Sequence, residues 1–421
     1  MVFRRNSKQD EIIAGLDVGS TAVRLAVGQI VPVNDKKELH IIGAAEAPAE
    51  GVHRGVVTSI EDAVSSISAC LEKAEQMTGV PISRAWVGIS GSHIISEESK
   101  GVIAVAKADG EISEEEVERA IEAARTVATP LNYEILHVIP KSYTVDGQVG
   151  IKDPIGMTGV RLEVDTQIIQ GLSSQIKNLT KAVYRTSLEI NDLVLSILAT
   201  AEAVATDKQK DLGVAVVNLG GATTSVVIFE EGDILDTAVL PIGSEHISAD
   251  LAIGLRTSID AADRLKLEYG SAVSKDIGKK EEIDLFDLGS AEHELVSLKF
   301  ASEIIEARVE EIMDKVESIF KKIGRSGVLP AGVIFTGGGA KLNGLIEVAK
   351  RKLRLPATLG YPLNITSVTD KVNDLSFTTA IGLVKWGMMS ELSQEKNNFG
   401  NLVSRFGKVN PLKRLIGFFR F

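Results

Sequence analysis

One supersecondary unit occurs twice in this chain, about 200 residues apart. The segments IAGLDVGSTAVRLAVG (residues 13–28) and VAVVNLGGATTSVVIF (residues 214–229) share one plan. Each has an apolar strand, an Asp or Asn near its end, a glycine turn with hydroxyl side chains and a second apolar strand. Each segment therefore predicts a β-hairpin. Two copies of one unit predict two related lobes with a cleft between them.

The rest of the chain alternates short apolar runs with helical patterns, which is typical of the α/β class. The first runs predict strands near residues 12–18, 22–30, 39–46 and 84–90, and a helix near residues 60–77. A further helix is predicted in EISEEEVERAIEAARTVA, where Ser113 and Glu116 have the spacing of a capping box. A long helix is also predicted at about residues 300–322.

The two hairpin turns have the chemistry of a phosphate site. Glycines let the backbone approach a ligand and present its N–H groups, and hydroxyl groups donate hydrogen bonds. Asp17 stands at a strand end, where one carboxylate can hold a hydrated Mg²⁺. Taken singly, each turn is more typical of an ordinary hairpin. The candidate phosphate-binding residues are Gly19, Ser20 and Thr21 in the first turn, and Gly220, Gly221, Thr223 and Thr224 in the second.

A third motif, AGVIFTGGGAKLNGLIEVAKRKL (residues 331–353), predicts a buried strand, a triple glycine and a helix. Gly337, Gly338 and Gly339 would let a flat nucleoside approach the backbone. The three motifs in this order resemble the nucleotide-binding superfamily of actin, Hsp70 and the sugar kinases. They would be its phosphate-one, phosphate-two and adenosine motifs, and the resemblance implies ATP as the ligand.

Further stretches are similar to the FtsA family of bacterial cell-division proteins, in order from about residue 12 to residue 387. They are GVHRGVVTSIEDAVSSI, AWVGISGSHI, ILHVIPKSYTVDGQVGIKDPIGMTGVRLEVD, GSEHISADLA and LKLEYGSA. The resemblance implies an actin-like two-lobed ATPase fold with a small α+β domain inserted in the first lobe. The implied boundaries are 1–84 and 166–205 for the first-lobe core, 85–165 for the insertion, 206–242 and 330–387 for the second-lobe core, and 243–329 for the second-lobe subdomain.

The same resemblance implies further site residues. Asp263 and Lys266 would contact the ribose or adenine, and Lys341 would lie over the adenine face. For each lysine, a solvated side chain is the alternative. Arg308 would be a weak contact for a partner protein, and a solvated charge on a helix is the alternative there as well.

The sequence also departs from the family. Asn218 stands where an Asp is usual, so Asp17 would be the main catalytic group and Asn218 a weak second one. An amide binds water but has no negative charge, so we expect the change to affect hydrolysis more than binding. Ser244 replaces a usual Gly, which we expect to be minor, and Glu202 has no explanation from the sequence.

The last part of the chain predicts a flexible linker and a membrane-targeting helix. Residues 388–409 are rich in Ser, Gln, Asn and Gly, which is typical of a linker. The final stretch, NPLKRLIGFFRF (residues 410–421), predicts a basic amphipathic helix for an anionic lipid surface. Docking of that helix on its own domain is the alternative. The apolar face would comprise Leu412, Leu415, Ile416, Phe418 and Phe419, and the basic side Lys413, Arg414 and Arg420.

Charge and composition exclude several other classes of protein. A net charge of -11 argues against a general nucleic-acid binder. No apolar run approaches the ~18 to 20 residues that span a bilayer. The one cysteine, Cys70, predicts a buried thiol in a reducing compartment. The histidines show no metal-ligand spacing, and the sequence shows no obvious catalytic triad.

The FtsA resemblance implies a peripheral protein on the cytoplasmic side of the cell membrane at the division site. Such a protein would bind ATP and Mg²⁺, polymerise, and tether FtsZ filaments through the C-terminal peptide of FtsZ. It would recruit other divisome proteins and hydrolyse ATP slowly, if at all. The alternatives are a pilus-assembly adaptor of the same fold, which binds a membrane protein's cytoplasmic peptide, and an ATP-driven chaperone or kinase.

Overall fold

A computed structural model describes residues 12–33, 36–106, 109–127, 130–278, 280–290 and 292–400. The strands are β1 (Ile12–Val18), β2 (Ala22–Val33), β3 (Lys36–Pro48), β4 (Val52–His53), β5 (Val56–Val57), β6 (Arg84–Ile89), β7 (Ile94–Ala104), β8 (Tyr133–Val145), β9 (Gln148–Ile151), β10 (Arg161–Leu172), β11 (Glu189–Leu195), β12 (Val214–Leu219), β13 (Thr224–Glu230), β14 (Asp233–Leu240), β15 (Glu282–Asp284), β16 (Leu295–Ser297), β17 (Val333–Thr336), β18 (Ala357–Leu359) and β19 (Thr366–Ser367). The helices are α1 (Ile60–Thr78), α2 (Glu114–Val127), α3 (Ser173–Arg185), α4 (Ser196–Val204), α5 (Asp207–Leu212), α6 (Ser244–Gly254), α7 (Ile259–Tyr269), α8 (Leu298–Lys322), α9 (Leu345–Leu353) and α10 (Thr378–Gly400).

The two lobes are built on sheets of the same plan. The strand order is β11-β6-β1-β2-β3-β19 in the first lobe and β14-β13-β12-β17-β18 in the second. In both, an antiparallel hairpin, β1–β2 or β12–β13, is extended by another antiparallel strand on one side. On the other side a parallel strand, β6 or β17, pairs with the first strand of the hairpin. The prediction of two related lobes from the repeated hairpins is confirmed.

Helices cover both faces of the second-lobe sheet, which explains why its hairpin is apolar throughout. Along β12, Val214 and Val216 face a core that also contains residues of α4 and α10. The alternate residues Ala215, Val217 and Leu219 belong to a second core with α6, α8 and α9. Side chains of a strand point alternately to its two faces, so β12 joins two hydrophobic cores.

The inserted domain has an antiparallel sheet in the order β7-β10-β8-β9, with α2 packed on it. An ideal Cβ at Gly101 would lie 1.9 Å from the carbonyl oxygen of Ala120, so only glycine lets α2 approach β7 this closely. At the start of α2 the Ser113 amide donates to Glu116 Oε2 at 3.1 Å. This contact confirms half of the predicted capping box.

The structure moves the predicted boundaries of the insertion. The sequence places it at residues 85–165, but β6 pairs in parallel with β1 and β11 and so belongs to the first-lobe sheet. At the other end, β10 continues its pairing with β7 as far as Gly171 and with β8 as far as Leu172. The sheet of the insertion therefore spans β7 to β10, because hydrogen-bond pairing, not sequence similarity, decides which sheet a strand joins.

The structure also changes the assignment of residues 330–387 to the second lobe. Strand β19 pairs with β3 in the first-lobe sheet, with Thr366 opposite His40. Helix α10 then packs against β1, β2 and β6. The chain returns to the first lobe here because the apolar side chains of Ile381, Leu383 and Val384 are fully buried in the core of that lobe.

The linker predicted from residue 388 is a continuation of α10, which runs to Gly400. Residues 388–399 contain neither Gly nor Pro and include the helix formers Met389, Glu391 and Leu392. Met388 packs against the first-lobe core, and Ser390 is buried. Residues 401–409 of the predicted linker lie outside the described residues.

Two residues of uncertain role are explained by their packing. Cys70 is a buried free thiol, as predicted, and its Sγ lies 3.4 Å from the Val23 carbonyl oxygen. Burial raises the pKa of this thiol to about 12. Glu202 is buried on α4 and forms an ion pair of 2.5 Å with Lys210, which is also buried. A buried carboxylate requires such a partner, so Glu202 is part of the packing between α4 and α5.

Candidate functional site

A cavity of about 900 Å³ opens between the turns of the two hairpins. Its walls include Asp17 and Asn218 at the strand ends and the triple glycine after β17. The structure therefore brings together the three motifs found in the sequence. The predicted residues that line the cavity are Asp17, Gly19, Ser20, Thr21, Asn218, Gly220, Gly221, Thr223, Asp263, Lys266, Gly337, Gly338, Gly339 and Lys341.

The two turns are closed by the same hydrogen bond. The Gly19 amide donates to the Ala22 carbonyl at 3.2 Å, and the Gly220 amide donates to the Thr223 carbonyl at 2.9 Å. In the first turn Ser20 Oγ also accepts a bond from the Gly55 amide at 2.8 Å. Each lobe thus presents an equivalent glycine turn to the cavity.

The turns touch across the cleft. Thr21 Oγ1 donates to Glu245 Oε1, on α6, at 3.0 Å. An ideal Cβ at Gly221 would lie 2.2 Å from Thr21 Oγ1 and 2.6 Å from Glu245 Oε1. A side chain at Gly221 would therefore break this contact between the lobes.

The start of α6 supports the second turn. The amides of Ser244 and Glu245 donate to the carbonyls of Gly220 and Gly221, at 2.9 and 2.8 Å. The backbone of Ser244 makes this contact, which accounts for the tolerance of Ser where Gly is usual. Because the backbone makes this bond, the side chain of Ser244 is left at the cavity wall.

Asp17 provides the carboxylate of the first hairpin. Its pKa is raised to about 6, because burial disfavours the charged form more than the nearby Arg24 guanidinium favours it. Arg24 itself lies 3.3 Å from Glu46. Asp17 therefore retains a proton at higher pH than an exposed carboxylate does.

Asn218 holds the equivalent position in the second hairpin. Its Nδ2 donates to Thr379 Oγ1 at 3.1 Å, and Thr379 is in turn 3.0 Å from Thr200 Oγ1. An ideal Cβ at Gly337 would lie 2.1 Å from Asn218 Oδ1, so this oxygen faces the triple glycine. The amide thus connects β12 to the first turn of α10.

Asp263 and Lys266 form a polar cluster with Ser248. Lys266 Nζ donates to Asp263 Oδ1 at 2.6 Å and to Ser248 Oγ at 2.7 Å. Burial opposes the ionisation of Asp263, but the hydrogen bonds from Lys266 and Ser248 outweigh it and lower the pKa of Asp263. The solvated lysine weighed from the sequence is excluded for Lys266, whose side chain is 10% exposed.

Lys341 also lines the cavity, after the triple glycine. Its Nζ is 2.5 Å from Asp374 Oδ1, and the Lys341 side chain is 47% exposed. Burial works against the charge on Asp374, but Lys341 and Ser376 stabilise it and lower the pKa of Asp374. Lys341 is therefore a half-exposed, paired cation at the cavity wall.

Two predicted residues lie elsewhere. Thr224 is fully buried and donates to the Ile242 carbonyl at 2.7 Å, because as the first residue of β13 it points into the protein. It does not line the cavity. Arg308 is on α8 and forms bonds of 2.5 and 2.8 Å with Asp250 and of 2.5 Å with Glu311. Its charge is thus paired within the subdomain instead of solvated.

The structure adds lining residues that the sequence did not reveal: Ser90, Ser196, Ser225, Glu245 and Thr379. Ser90 Oγ and Ser225 Oγ lie 3.2 Å apart across the cleft. These residues come from separate segments and share no sequence motif, so only the fold, which brings the segments together, identifies them.

The described residues contain no group of three or more His, Cys, Asp or Glu side chains arranged to hold a metal ion. None of the helices in those ranges is long and apolar enough to cross a membrane. The tail residues of the predicted amphipathic helix, 410–421, lie outside the described part of the chain.

Family models match two parts of the chain. The model described as "Cell division protein FtsA" matches residues 215–382, and "SHS2 domain inserted in FTSA" matches residues 91–170. The chain is 35% identical over 381 residues to the cell division protein FtsA of Pseudomonas aeruginosa, covering 90% of each. It is 31% identical over 392 residues to the FtsA of Escherichia coli strain K12, covering 91% of this chain and 92% of that one.

Solved structures with the same fold are more distant in sequence. The PilM–PilN type IV pilus biogenesis complex matches with a TM-score of 0.65 and 17% identity, over 89% of this chain and 98% of that one. MreB5 of Spiroplasma citri bound to AMPPNP matches with a TM-score of 0.53 and 12% identity, over 93% and 99%. These matches confirm the predicted actin-like fold.

Proposed function

Since the chain belongs to the FtsA family of cell-division proteins, we propose that it binds ATP between its lobes, polymerises, and tethers FtsZ filaments to the membrane. The observation that carries the nucleotide part is the convergence of two equivalent glycine turns, one from each lobe, on one cavity. Backbone amides and hydroxyls in such turns suit phosphate groups.

In this proposal, different residues of the cavity would hold the parts of the nucleotide. The glycine turns and hydroxyls would hold the phosphates, and the Asp263–Lys266 cluster would contact the ribose or adenine. The triple glycine would let the adenine approach the backbone, next to Lys341. The solved structure of MreB5 with AMPPNP supports ATP as the ligand, because that protein shares the fold.

Mg²⁺ would be held between Asp17 and the phosphates. This ion keeps several waters and takes few protein carboxylates, which fits a site with one carboxylate in the first hairpin and an amide in the second. The ion would supply charge neutralisation for the phosphates. Asn218 donates to Thr379 and adds no negative charge, which supports binding with slow hydrolysis.

Removing the Asp17 carboxylate should therefore weaken Mg-ATP binding. We expect Asp17→Ala to raise the Kd about tenfold or more in calorimetry, since a hydrogen bond to a charged group contributes ~1.5–3 kcal/mol. Ser66→Ala is a suitable control, because Ser66 is a buried serine of α1 that bonds to the Glu50 amide. An Asp17→Ala protein that binds Mg-ATP as well as the wild type would contradict the phosphate site.

Membrane attachment through residues 410–421 is a separate part of the proposal, supported by their sequence. Apolar and basic side chains would occupy opposite sides of a helix, and anionic lipid attracts the cations. One short helix binds weakly, but a filament brings many tails to one surface and multiplies the affinity. Polymerisation and attachment would thus depend on each other at the cytoplasmic face of the cell membrane, at the division site.

We expect Phe419→Glu to abolish sedimentation with anionic liposomes while ATP binding stays intact, because the charge falls on the apolar face. Asn401→Glu adds the same charge outside that face and should sediment like the wild type. Equal sedimentation of the Phe419→Glu protein would exclude the tail as the anchor.

The FtsZ C-terminal peptide is the proposed partner, on the second-lobe subdomain around α8. The support is family membership, and Arg308 is a possible but internally paired contact. Other divisome proteins would bind the assembled form.

A pilus-assembly adaptor remains the alternative function, because PilM shares the fold. However, this chain is 31 to 35% identical to FtsA relatives and 17% identical to the PilM–PilN structure. A pull-down with the FtsZ tail peptide and with a pilus-protein peptide would separate the two, and rapid turnover with a soluble substrate would favour a chaperone or kinase instead.

A further inference from the structure

Glu245, the second residue of α6, places a carboxylate between the two glycine turns of the cavity. Thr21 Oγ1, in the turn of the first lobe, donates to Glu245 Oε1 at 3.0 Å. An ideal Cβ at Gly221 would lie 2.6 Å from the same oxygen, so the carboxylate also lies against the turn of the second lobe. One carboxylate oxygen is therefore close to both of the turns proposed to bind phosphate.

Backbone hydrogen bonds fix the main chain of Glu245 at this point. Its amide donates to the Gly221 carbonyl at 2.8 Å, and the Ser244 amide donates to the Gly220 carbonyl at 2.9 Å. The start of α6 is thus bound to the turn of its own lobe. The Glu245 side chain has rotatable bonds, so it can turn away from Thr21 while the helix stays in place.

The Glu245 carboxylate forms no ion pair with the described residues. The cations that line the cavity are paired with other carboxylates: Arg24 with Glu46 at 3.3 Å, Lys266 with Asp263 at 2.6 Å and Lys341 with Asp374 at 2.5 Å. The charge of Glu245 is therefore not neutralised by a neighbouring cation, and it repels any second anion placed in the cavity.

Thr21 cannot serve Glu245 and a phosphate at the same time. A hydroxyl group has one hydrogen to donate, and Glu245 accepts it in this structure. A phosphate oxygen bound to Thr21 would also lie close to the carboxylate, where like charges repel. The carboxylate and a phosphate therefore exclude each other at this point of the cavity.

We propose that Glu245 competes with the phosphate chain of the nucleotide for Thr21, so that nucleotide binding breaks this hydrogen bond between the lobes. The inference rests on the proposed nucleotide site and deepens it, because it names a residue that sets the affinity of that site. A bound phosphate turns the Glu245 side chain away from the first lobe, and release of the nucleotide lets the bond form again. Glu245 lowers the affinity for ATP and ADP but not for adenosine.

Calorimetry with Mg-ATP and the full-length protein tests the competition. We expect Glu245→Ala to lower the Kd about tenfold, because the nucleotide no longer has to replace a charge-assisted hydrogen bond. Glu245→Gln should lower it about threefold, since the amide has no charge but still accepts the weaker bond from Thr21. Adenosine, titrated by NMR, should bind the wild type and both variants equally.

Glu347 provides the matched control. It is an exposed carboxylate in the first turn of α9, also in the second lobe, and it does not line the cavity. Glu347→Ala removes the same charge from a helix start, and we expect it to leave the Kd for Mg-ATP at the wild-type value. Equal tightening by Glu245→Ala and Glu347→Ala would overturn the inference, because net charge would then account for the effect.

The remaining outcomes separate this inference from the proposed function. Absence of ATP binding by the wild type would overturn both. Normal ATP binding by the wild type, with an unchanged or higher Kd in the Glu245 variants, would overturn the inference alone. A higher Kd would mean that the carboxylate supports the nucleotide, directly or through Mg²⁺. Equal tightening by the two Glu245 variants would exclude competition for Thr21, and tighter adenosine binding would place the effect away from the phosphates. If Glu245→Ala does not fold, Glu245→Gln decides.

Discussion

His137 is a buried residue that accepts a hydrogen bond from a backbone amide of the first lobe. It lies on β8 in the inserted domain and is 1% exposed. Its Nε2 accepts a bond of 2.9 Å from the Leu195 amide, at the start of α4. A nitrogen that accepts must be unprotonated, and burial lowers the pKa of His137 to about 3. The neutral imidazole thus joins the insertion to the helix that carries Ser196.

This contact predicts a pH-dependent loss of stability. The folded protein resists protonation of His137 while the unfolded chain takes up a proton near pH 6.5. The contribution of the neutral His137 to the free energy of unfolding is therefore present above pH 6.5 and is lost as the pH falls toward about 3. In His137→Gln an amide oxygen can accept the same bond without titrating. Between pH 7 and about pH 5 we expect the wild type to lose about 2 kcal/mol more than the variant.

Urea unfolding of both proteins across that pH range measures the difference. Parallel pH profiles for the wild type and His137→Gln would mean that the folded state accommodates the protonated imidazole. A lower stability of the variant at every pH, with no change in slope, would indicate a packing defect only.

Among the individual residues of the site, the sequence predicted those that belong to motifs. Asp17, Gly19 and the triple glycine were identified from their local pattern because a glycine turn is a local signal. The role of Glu202 was not identified, because it depends on an ion pair with Lys210 on the next helix. Thr224 was placed in the site from its position in the turn, and the direction of its side chain excludes it.

Helix α10 packs tightly against α4 and β1 of the first lobe, and glycines permit this close packing. An ideal Cβ at Gly382 would lie 2.2 Å from the carbonyl oxygen of Ala199 on α4. Gly15, on β1, approaches α10 in the same way: an ideal Cβ there would lie 2.4 Å from the carbonyl oxygen of Ala380. These contacts are with backbone atoms, which cannot rotate away.

Gly382→Ala should therefore destabilise the protein, although alanine is the better helix former. We expect a loss of about 1–3 kcal/mol in the free energy of unfolding, the usual effect of overpacking. Gly79→Ala is the comparison. Gly79 follows α1 with a φ of +67°, and no atom lies near its ideal Cβ. Alanine there should lower the free energy of unfolding by only about 1 kcal/mol, because of the backbone conformation alone. Denaturant unfolding measures both, and a stabilised Gly382→Ala protein would show that α10 can move away from α4.

The hairpins and the long helices could be predicted from the sequence because their signals are local. The predicted strand at residues 12–18 and the helix at 60–77 agree with β1 and α1 within a residue. The course of residues 366–400 could not be predicted in this way. Strand β19 has two residues, and its place is fixed only by its pairing with β3. Polar composition alone suggested a linker after residue 388, where the intrinsic preference is still helical.

In the whole molecule, the inserted domain provides a further contact between the lobes, outside the cleft and the shared core of β12 and α4. The insertion of the first lobe packs against β14 of the second, where Thr237 Oγ1 is 3.1 Å from Ser96 Oγ. Gln167 Nε2 lies 3.4 Å from the buried Asp236. At the edge of this contact Lys152 forms an ion pair with Asp233 and is 3.4 Å from Glu231. Any rotation of one lobe against the other must therefore change contacts of the insertion.

Reversing one charge at this contact should open the lobes. In Lys152→Glu a carboxylate would face Asp233 and Glu231, and the repulsion should lengthen the distance between spin labels on the two lobes. Exposed ion pairs contribute about 0.2–1 kcal/mol, so we expect a shift in populations and not a complete opening. The double variant Lys152→Glu, Asp233→Lys should restore the wild-type distances. In about 1 M salt, where the Debye length is about 3 Å, the single variant should also approach them.

Lys177→Glu is the control for this experiment. Lys177, on α3, lies 3.4 Å from Glu134, on β8, so its pair does not reach the second lobe. The same charge change there should leave the distances between the lobes unaltered. Unchanged distances in Lys152→Glu would mean that the buried contacts of Ser96, Gln167 and Asp236 hold the insertion to β14 without help from the ion pair. Equal opening by both variants would instead assign the effect to net charge, because the two substitutions share only that property.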